Sequence, residues 1–173
     1  MSSGMKKFQF LLLDAGPIIK LFELDIWDEF IKQCDVMVSK TVANESKYAS
    51  QELQDIHIDL VPYEDKGLIQ ILDTESSVVK SLLDKLPKSY VDILHDGEKQ
   101  TLAILANSSE DWKVCAADGA VFRVLGFLGK AGQGISLEEV LSKIGLGQAL
   151  DWQFSKRFRE KYTKIGQIDS IQR

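Results

Sequence analysis

The clearest structural signal in the sequence is the segment Phe8-Gln9-Phe10-Leu11-Leu12-Leu13-Asp14-Ala15-Gly16-Pro17-Ile18-Ile19. Its first half is short and nearly all apolar, which is typical of a strand that helices cover on both faces. Pro17 suits a first helical position, where its missing N–H would be unpaired anyway. The segment therefore predicts a buried strand, a turn and a helix, with Asp14 where the strand ends. Ligands of open α/β sheets bind outside the carboxyl ends of the strands, so Asp14 is a candidate site residue.

The composition is that of a globular protein with one core. A chain of 173 residues can bury most of its surface in a single domain, and 27% charged residues is an ordinary content. No apolar run approaches the roughly 20 residues of a membrane-spanning helix, and no signal peptide is apparent, so we expect a cytoplasmic protein without membrane contact. The net charge of −5 argues against a chain that coats nucleic acid through overall charge, but leaves a local basic face open.

Two smaller features are interpreted as neutral for function. Residues 1–4 resemble an added leader, with Met5 as the natural start, and are left out of the fold argument. Cys34 and Cys115 lie far apart in apolar contexts, which favours reduced, buried thiols over a disulfide or a metal site.

The first half of the chain alternates between predicted strands and helices. A short strand is expected at 35–39, followed by a helix that Thr41 caps and that carries Glu45 about one turn in. Residues 57–61 and 68–72 read as two short strands that pair with each other. A helix then starts at Thr74 or Ser76 and ends at Pro87.

The second half repeats the opening arrangement. Residues 96–106 give the strongest helix signal in the chain, with Glu98 in the first turn. After that turn the predicted helix is apolar on nearly every side, which is typical of a buried helix. The segment 112–118 is again a small apolar strand that ends in a carboxylate, Asp118. A capping box at Ser136 predicts a helix to about Ile144, and an amphipathic helix is expected over about 151–165. This alternation predicts a three-layer α/β/α domain with a mainly parallel central sheet.

Four carboxylates are candidate metal ligands. Asp14 and Asp118 end strands, while Glu45 and Glu98 lie near helix starts, and in a parallel sheet all four would meet at one edge. Gathered carboxylates raise one another's pKa values unless a cation is present, and oxygen ligands at this density suit Mg²⁺ or Mn²⁺. Each residue taken alone also fits a structural role, because acids complement helix dipoles and aspartates cap helices and form turns.

The order and context of these acids resemble those of PIN-domain proteins, a family of metal-dependent ribonucleases that includes the toxins of toxin–antitoxin pairs. The resemblance covers roughly residues 8–146. Its matching segments are Leu12-Leu13-Asp14-Ala15-Gly16-Pro17-Ile18-Ile19, Val38-Ser39-Lys40-Thr41-Val42-Ala43-Asn44-Glu45, Asp96-Gly97-Glu98, Ala117-Asp118 and Phe122-Arg123-Val124-Leu125-Gly126.

This resemblance implies a single PIN-like domain over 1–173, with a core at about 8–146 and the helix at about 151–165 outside it. It implies a hydrolase whose catalytic residues are Asp14, Glu45, Glu98 and Asp118. Of these, Asp14, Glu98 and Asp118 are expected to bind Mg²⁺ or Mn²⁺. It also implies an RNA substrate, an antitoxin protein as a partner and a homodimer. Two positions depart from the family pattern. Gly119 stands where a fifth acid often follows the fourth, and Ala15 stands where a small hydroxyl residue is usual. Asp96 is a candidate substitute for the fifth acid.

Two other functions compete with a nuclease. Gly119 favours a PIN-like module that has lost efficient catalysis and binds RNA or protein. A phosphatase with an aspartyl nucleophile at Asp14 ranks low, because that chemistry needs a second Asp where Gly16 stands.

The remaining signals are weaker. Residues 129–134 lack the Gly-Lys-Ser/Thr ending of a phosphate-binding loop and are interpreted as a plain loop. His57 and His95 have no ligand spacing around them and are not expected to bind metal, although His95 precedes Glu98 by three residues and could face the site. Lys156, Arg157 and Arg159 are candidate contacts to RNA phosphates, against the simpler interpretation of a solvated helix face.

Overall fold

The computed structural model describes residues 8–53 and 55–172, and residues 1–4 lie outside this range. Five strands form one sheet in the order β3-β2-β1-β4-β5, and each neighbouring pair is parallel. The strands are β1 (Phe8–Leu13), β2 (Cys34–Ser39), β3 (Gln70–Leu72), β4 (Lys113–Cys115) and β5 (Gly134–Ile135). Helices cover both faces, which confirms the expected three-layer α/β/α fold and is consistent with a PIN-like architecture.

Within the described residues, ten α-helices connect and flank these strands. They are α1 (Ala15–Glu23), α2 (Trp27–Gln33), α3 (Lys40–Gln51), α4 (Val61–Asp65), α5 (Ser76–Leu83), α6 (Lys88–Ile93), α7 (Asp96–Asn107), α8 (Gly119–Phe127), α9 (Leu137–Lys143) and α10 (Lys156–Ile171). Short 3₁₀ turns occupy Ala131–Gln133 and Trp152–Phe154.

The central strand β1 divides the apolar interior into two clusters. Leu11 and Leu13 face the cluster formed with α1–α4 and α9, while Leu12 faces the one formed with α5–α8 and α10. All three leucines are fully buried. Successive side chains of a strand point to opposite faces, so a run of apolar residues is what a strand between two helical layers requires.

The chain order places a topological switch point beside β1. From β1 the chain moves outward to β2 and β3, and it then returns to the other side of β1 to form β4 and β5. The ends of β1 and β4 therefore flank a crevice at the carboxyl edge of the sheet, where open α/β folds bind ligands. Because α7 leads into the amino end of β4, the first turn of α7 also lies at the carboxyl edge.

Several local predictions are wrong. Residues 57–61 do not form a strand; α4 begins at Val61, and β3 pairs in parallel with β2. Ser39, whose hydroxyl accepts a hydrogen bond from the Val42 N–H, caps α3 in place of Thr41. Pro87 does not end α5, which stops at Leu83, but precedes a further helix, α6.

The C-terminal helix differs from its predicted bounds of about 151–165, since α10 begins at Lys156 and continues to Ile171. It crosses α8 at two glycines, where the backbones approach too closely for any side chain. A Cβ on Gly166 would lie 2.8 Å from the Arg123 carbonyl carbon, and one on Gly126 would lie 3.0 Å from that of Thr163. We call this contact the α8–α10 crossing.

Two polar clusters hold α10 in place around this crossing. Asp169 accepts hydrogen bonds from Tyr90 and, at 2.9 Å, from Arg123, while Arg159 forms a bidentate ion pair with Glu139 of α9, both bonds being 2.8 Å. The helix is therefore an integral layer of the domain rather than an appendage.

Both cysteines are buried thiols rather than halves of a disulfide, as expected. Within 8–53 and 55–172, no helix has the length and apolar character needed to cross a bilayer.

Candidate metal centre

The four predicted carboxylates lie together in one pocket of about 620 Å³ at the carboxyl edge of the sheet. The pocket is lined by Asp14, Ala15, Gly16, Glu45, Leu94, His95, Asp96, Glu98, Ala117 and Asp118. Among the described residues that line it, none is a lysine or an arginine. The pocket sits at the switch point between β1 and β4, so the topology explains why these residues meet.

Asp14 lies in the pocket at the carboxyl end of β1. Its backbone N–H donates to the carbonyl of Cys115 at 3.0 Å, which extends the pairing of β1 with β4 by one residue and fixes the start of the side chain. The residue is only 6% exposed and stands at the N-cap position of α1, where its side chain makes no capping hydrogen bond of the kind that Ser39 makes to α3.

Asp118 combines both of its predicted roles. It is the residue before α8, and its Oδ1 accepts a hydrogen bond from the Ala120 N–H at 2.8 Å. This bond holds the half-buried carboxylate against the helix start while it still lines the pocket.

Glu98 enters the pocket from the first turn of α7. It is 3% exposed, and its Oε1 accepts the backbone N–H of His95 at 2.8 Å. This hydrogen bond caps the helix and fixes the carboxylate above the sheet edge.

Glu45 reaches the same place from α3. Its Oε1 accepts a hydrogen bond from the Gly97 N–H at 3.0 Å. Any side chain at position 97 would displace it, since a Cβ there would lie 2.9 Å from the Glu45 carboxyl carbon. Gly97 is thus a site residue that sequence reasoning missed, although its place between Asp96 and Glu98 was visible.

Burial and the neighbouring negative charges disfavour the charged forms of Asp14 and Glu98. Burial, chiefly, raises the pKa of Asp14 to about 6, and the charges of Glu45 and Asp118 add to it, while a hydrogen bond from the Ala15 N–H works the other way. Burial likewise raises the pKa of Glu98 to about 8, assisted by Asp14 and Asp118 and opposed by the His95 N–H. The pocket is electrostatically unfavourable at neutral pH on its own.

The donor set fits a divalent cation. Carboxylate oxygens are the preferred ligands of Mg²⁺ and Mn²⁺, and a bound cation would offset the repulsion that raises the pKa values of Asp14 and Glu98. Glu98 and Asp118, whose ligand atoms lie within 4.8 Å of each other, would hold it together with Asp14 from the end of β1, and Glu45 would complete the site.

His95 lines this pocket, as its position three residues before Glu98 allowed. Its ligand atom and those of Glu98 and Asp118 lie within 4.8 Å of one another. The exposed imidazole has its Nδ1 3.3 Å from Glu98 Oε1. The available sequence signal was its position directly before the Asp96-Gly97-Glu98 helix start.

The three basic candidates for phosphate contact are not part of the pocket lining. Lys156 and Arg157 are exposed at the start of α10. Arg159 is 16% exposed and paired with Glu139, so its observed partner is a carboxylate of the protein itself. Asp96, the substitute acid, does line the pocket and is exposed.

The absence of a fifth acid at position 119 has a steric cause. A Cβ on Gly119 would lie 2.6 Å from Cδ1 of Tyr162, because α10 packs its tyrosine against the start of α8. The same helix that closes the domain therefore excludes a side chain beside Asp118.

Gly119→Asp is expected to destabilise the protein by about 2 kcal/mol through this overlap. The helix dipole favours an acid at the first helical residue, whereas the pocket carboxylates repel it, so recovery on removal of the Tyr162 ring identifies the steric part of the loss. Denaturant unfolding measures the effect, with Gly132→Asp as the control because nothing lies within 4 Å of that site. Adding Tyr162→Ala should recover part of the loss specifically in the Gly119→Asp protein; an equal effect of Gly132→Asp would contradict the steric explanation.

Without divalent ions, the protein should lose stability as the pH rises from about 4 to about 8. Native Asp14 keeps a proton up to about pH 6, whereas in the unfolded chain it releases the proton near 3.8, and Glu98 extends the window to about 8. The native state binds more protons than the unfolded state within this window, so the free energy of unfolding falls as the pH rises and is lowest above about pH 8. Thermal unfolding in EDTA measures the slope.

Added Mn²⁺ should raise the melting temperature more at pH 8 than at pH 5, because protons compete with the ion at low pH. A melting temperature in EDTA that rises across this window would contradict the assigned burial of the two charges.

Neither a scan against models of protein families nor a search of curated proteins finds a match for this sequence.

Proposed function

We propose that this protein is a metal-dependent ribonuclease, in which Asp14, Glu98 and Asp118 hold Mg²⁺ or Mn²⁺ and Glu45 completes the site. The observation that carries the proposal is the convergence of four carboxylates, two of them almost fully buried, in one pocket at the switch point of the sheet. Buried acids destabilise a fold unless their charge is compensated, so a cluster of this kind is best explained by a cation.

The chemistry follows from the donor set. A divalent ion supplies Lewis acidity and lowers the pKa of bound water, which suits hydrolysis of a phosphodiester. The chain's own contribution is to hold the four carboxylates in fixed positions. The N–H groups of Gly97, His95 and Ala120 bind Glu45, Glu98 and Asp118 respectively, so little reorganisation is needed when the substrate binds.

The choice of RNA as substrate rests on the resemblance of the motifs to PIN-domain proteins. The pocket volume of about 620 Å³ is suited to a nucleotide-sized group, since ligand sites commonly measure about 300–1,000 Å³. The same resemblance suggests a cytoplasmic toxin with an antitoxin protein and a second copy of the chain as partners.

A second candidate is a PIN-like module that binds RNA or protein without efficient catalysis. The observation that favours it is the exclusion of a fifth acid by Tyr162, which lowers the negative charge available to the ion.

The experiment that separates these candidates is cleavage of a mixed pool of single-stranded RNAs by purified protein. We expect cleavage with Mn²⁺ or Mg²⁺, its loss in excess EDTA and its return when the ion is restored. RNA binding without cleavage at any ion concentration would select the binding module instead.

A further inference from the structure

We propose that His95 is a nitrogen ligand of this metal centre, alongside Glu98 and Asp118, and that the ion bound in the protein is therefore Mn²⁺ rather than Mg²⁺. This inference rests on the proposed function, because it concerns the same pocket. It goes beyond the proposed site in adding a fifth residue of a different ligand type, which the resemblance does not assign.

The geometry places the imidazole within reach of a shared ion. One ligand atom from each of His95, Glu98 and Asp118 lies within 4.8 Å of the others. Two ligands of one octahedral ion with metal–oxygen distances near 2.1 Å lie about 3 to 4 Å apart, so small side-chain adjustments bring all three into one coordination sphere.

The local structure also fixes the backbone position of His95. The residue precedes α7, and its backbone N–H is held by Glu98 at 2.8 Å, which ties the position of the histidine to that of a proposed ligand. The imidazole itself is 76% exposed at the pocket rim, so it can rotate toward an ion without leaving an apolar environment.

A nitrogen donor changes the preferred ion. Imidazole is a ligand of first-row transition metals, whereas Mg²⁺ favours carboxylates, carbonyls and water. Mn²⁺ accepts oxygen ligands in the same octahedral arrangement as Mg²⁺, and it also accepts imidazole. A set of three or four carboxylates and one histidine therefore favours Mn²⁺ over Mg²⁺.

The test uses the full-length protein loaded with Mn²⁺ or Mg²⁺ and does not depend on activity. Titration calorimetry should show that His95→Gln weakens Mn²⁺ binding about tenfold or more, while Mg²⁺ binding changes less than about threefold. Pulsed EPR of the Mn²⁺-loaded protein should show coupling to an imidazole nitrogen that His95→Gln abolishes. His57→Gln is the matched control, because His57 is exposed and does not line the pocket, and it should leave both measurements unchanged.

The outcomes separate this inference from the proposed function. Binding of Mn²⁺ without nitrogen coupling, or with coupling that survives His95→Gln, would overturn the role of His95 and leave an all-carboxylate nuclease site intact. An imidazole that only pairs with Glu98 gives this result. A protein that binds neither ion would overturn both proposals.

Discussion

Asp14→Asn is expected to reduce RNA cleavage at least about a hundredfold while leaving the fold intact. That factor is the upper end of what loss of even an outer-sphere partner costs a metal site, and Asp14 is proposed as a direct ligand. The amide keeps the shape of the carboxylate at a position that is 6% exposed, so the expected loss comes from charge and not from packing.

The same substitution should raise the stability of the metal-free protein at neutral pH. The pKa of Asp14 is raised from 3.8 to about 6, which corresponds to a charge burial cost of about 3 kcal/mol, and asparagine removes this cost. A loss of activity together with a gain in stability is expected of a residue whose charge binds a ligand but destabilises the fold. Chemical denaturation in EDTA and single-turnover cleavage of a labelled RNA measure the two effects.

Asp111→Asn is the matched control, because Asp111 is exposed and precedes β4 at the opposite edge of the sheet. It should change neither quantity. Cleavage by Asp14→Asn at the wild-type rate would remove the metal-site assignment, and loss of activity accompanied by unfolding would show that Asp14 is structural.

Gly166→Ala is expected to destabilise the protein by about 3 kcal/mol, the largest effect that we expect from adding a single methyl group. At the α8–α10 crossing the added Cβ would overlap the backbone carbonyl group of Arg123, and backbone moves less readily than a side chain tip. Overpacking of this kind costs about 1–3 kcal/mol, and for a domain of this size the melting temperature should fall by roughly 10 °C.

Alanine has the higher helix propensity, so in an open helix this change would stabilise. Gly132→Ala is the control, since nothing lies within 4 Å of its Cβ and it should be close to neutral. A stable Gly166→Ala protein would mean that α10 does not rest on α8 as described.

The sequence was sufficient to predict the layered architecture and the meeting of the four acids at one edge of the sheet. Both predictions depend on patterns within short segments of the chain. The leucines of β1 and the apolar body of α7 are recognisable because an element buried on all sides must be apolar throughout. Asp14 and Asp118 follow such elements directly, so the parallel topology alone brings them to one edge.

The errors have a common physical cause, which is that tertiary contacts decided the local structure. At Phe10, β1 contains a bulge with φ 56°, and between the pairs Phe8–Cys34 and Leu11–Val36 two residues of β1 oppose one of β2. Nothing in the local pattern indicates it. The C-terminal end of α10 was likewise placed too early, at about 165 instead of Ile171, because its buried face contains Thr163 and Gly166, which are not apolar signals but permit the approach to α8.

The contact between Gly119 and Tyr162 also limits how this site can change during evolution. Every glycine codon becomes an aspartate or a glutamate codon by one nucleotide substitution, so a fifth acid is genetically close. As a first step it is expected to cost about 2 kcal/mol of stability, and a smaller residue in place of the tyrosine lowers this cost. The less costly route to a more highly charged site therefore begins with a substitution more than forty residues away along the chain, on a helix outside the pocket lining.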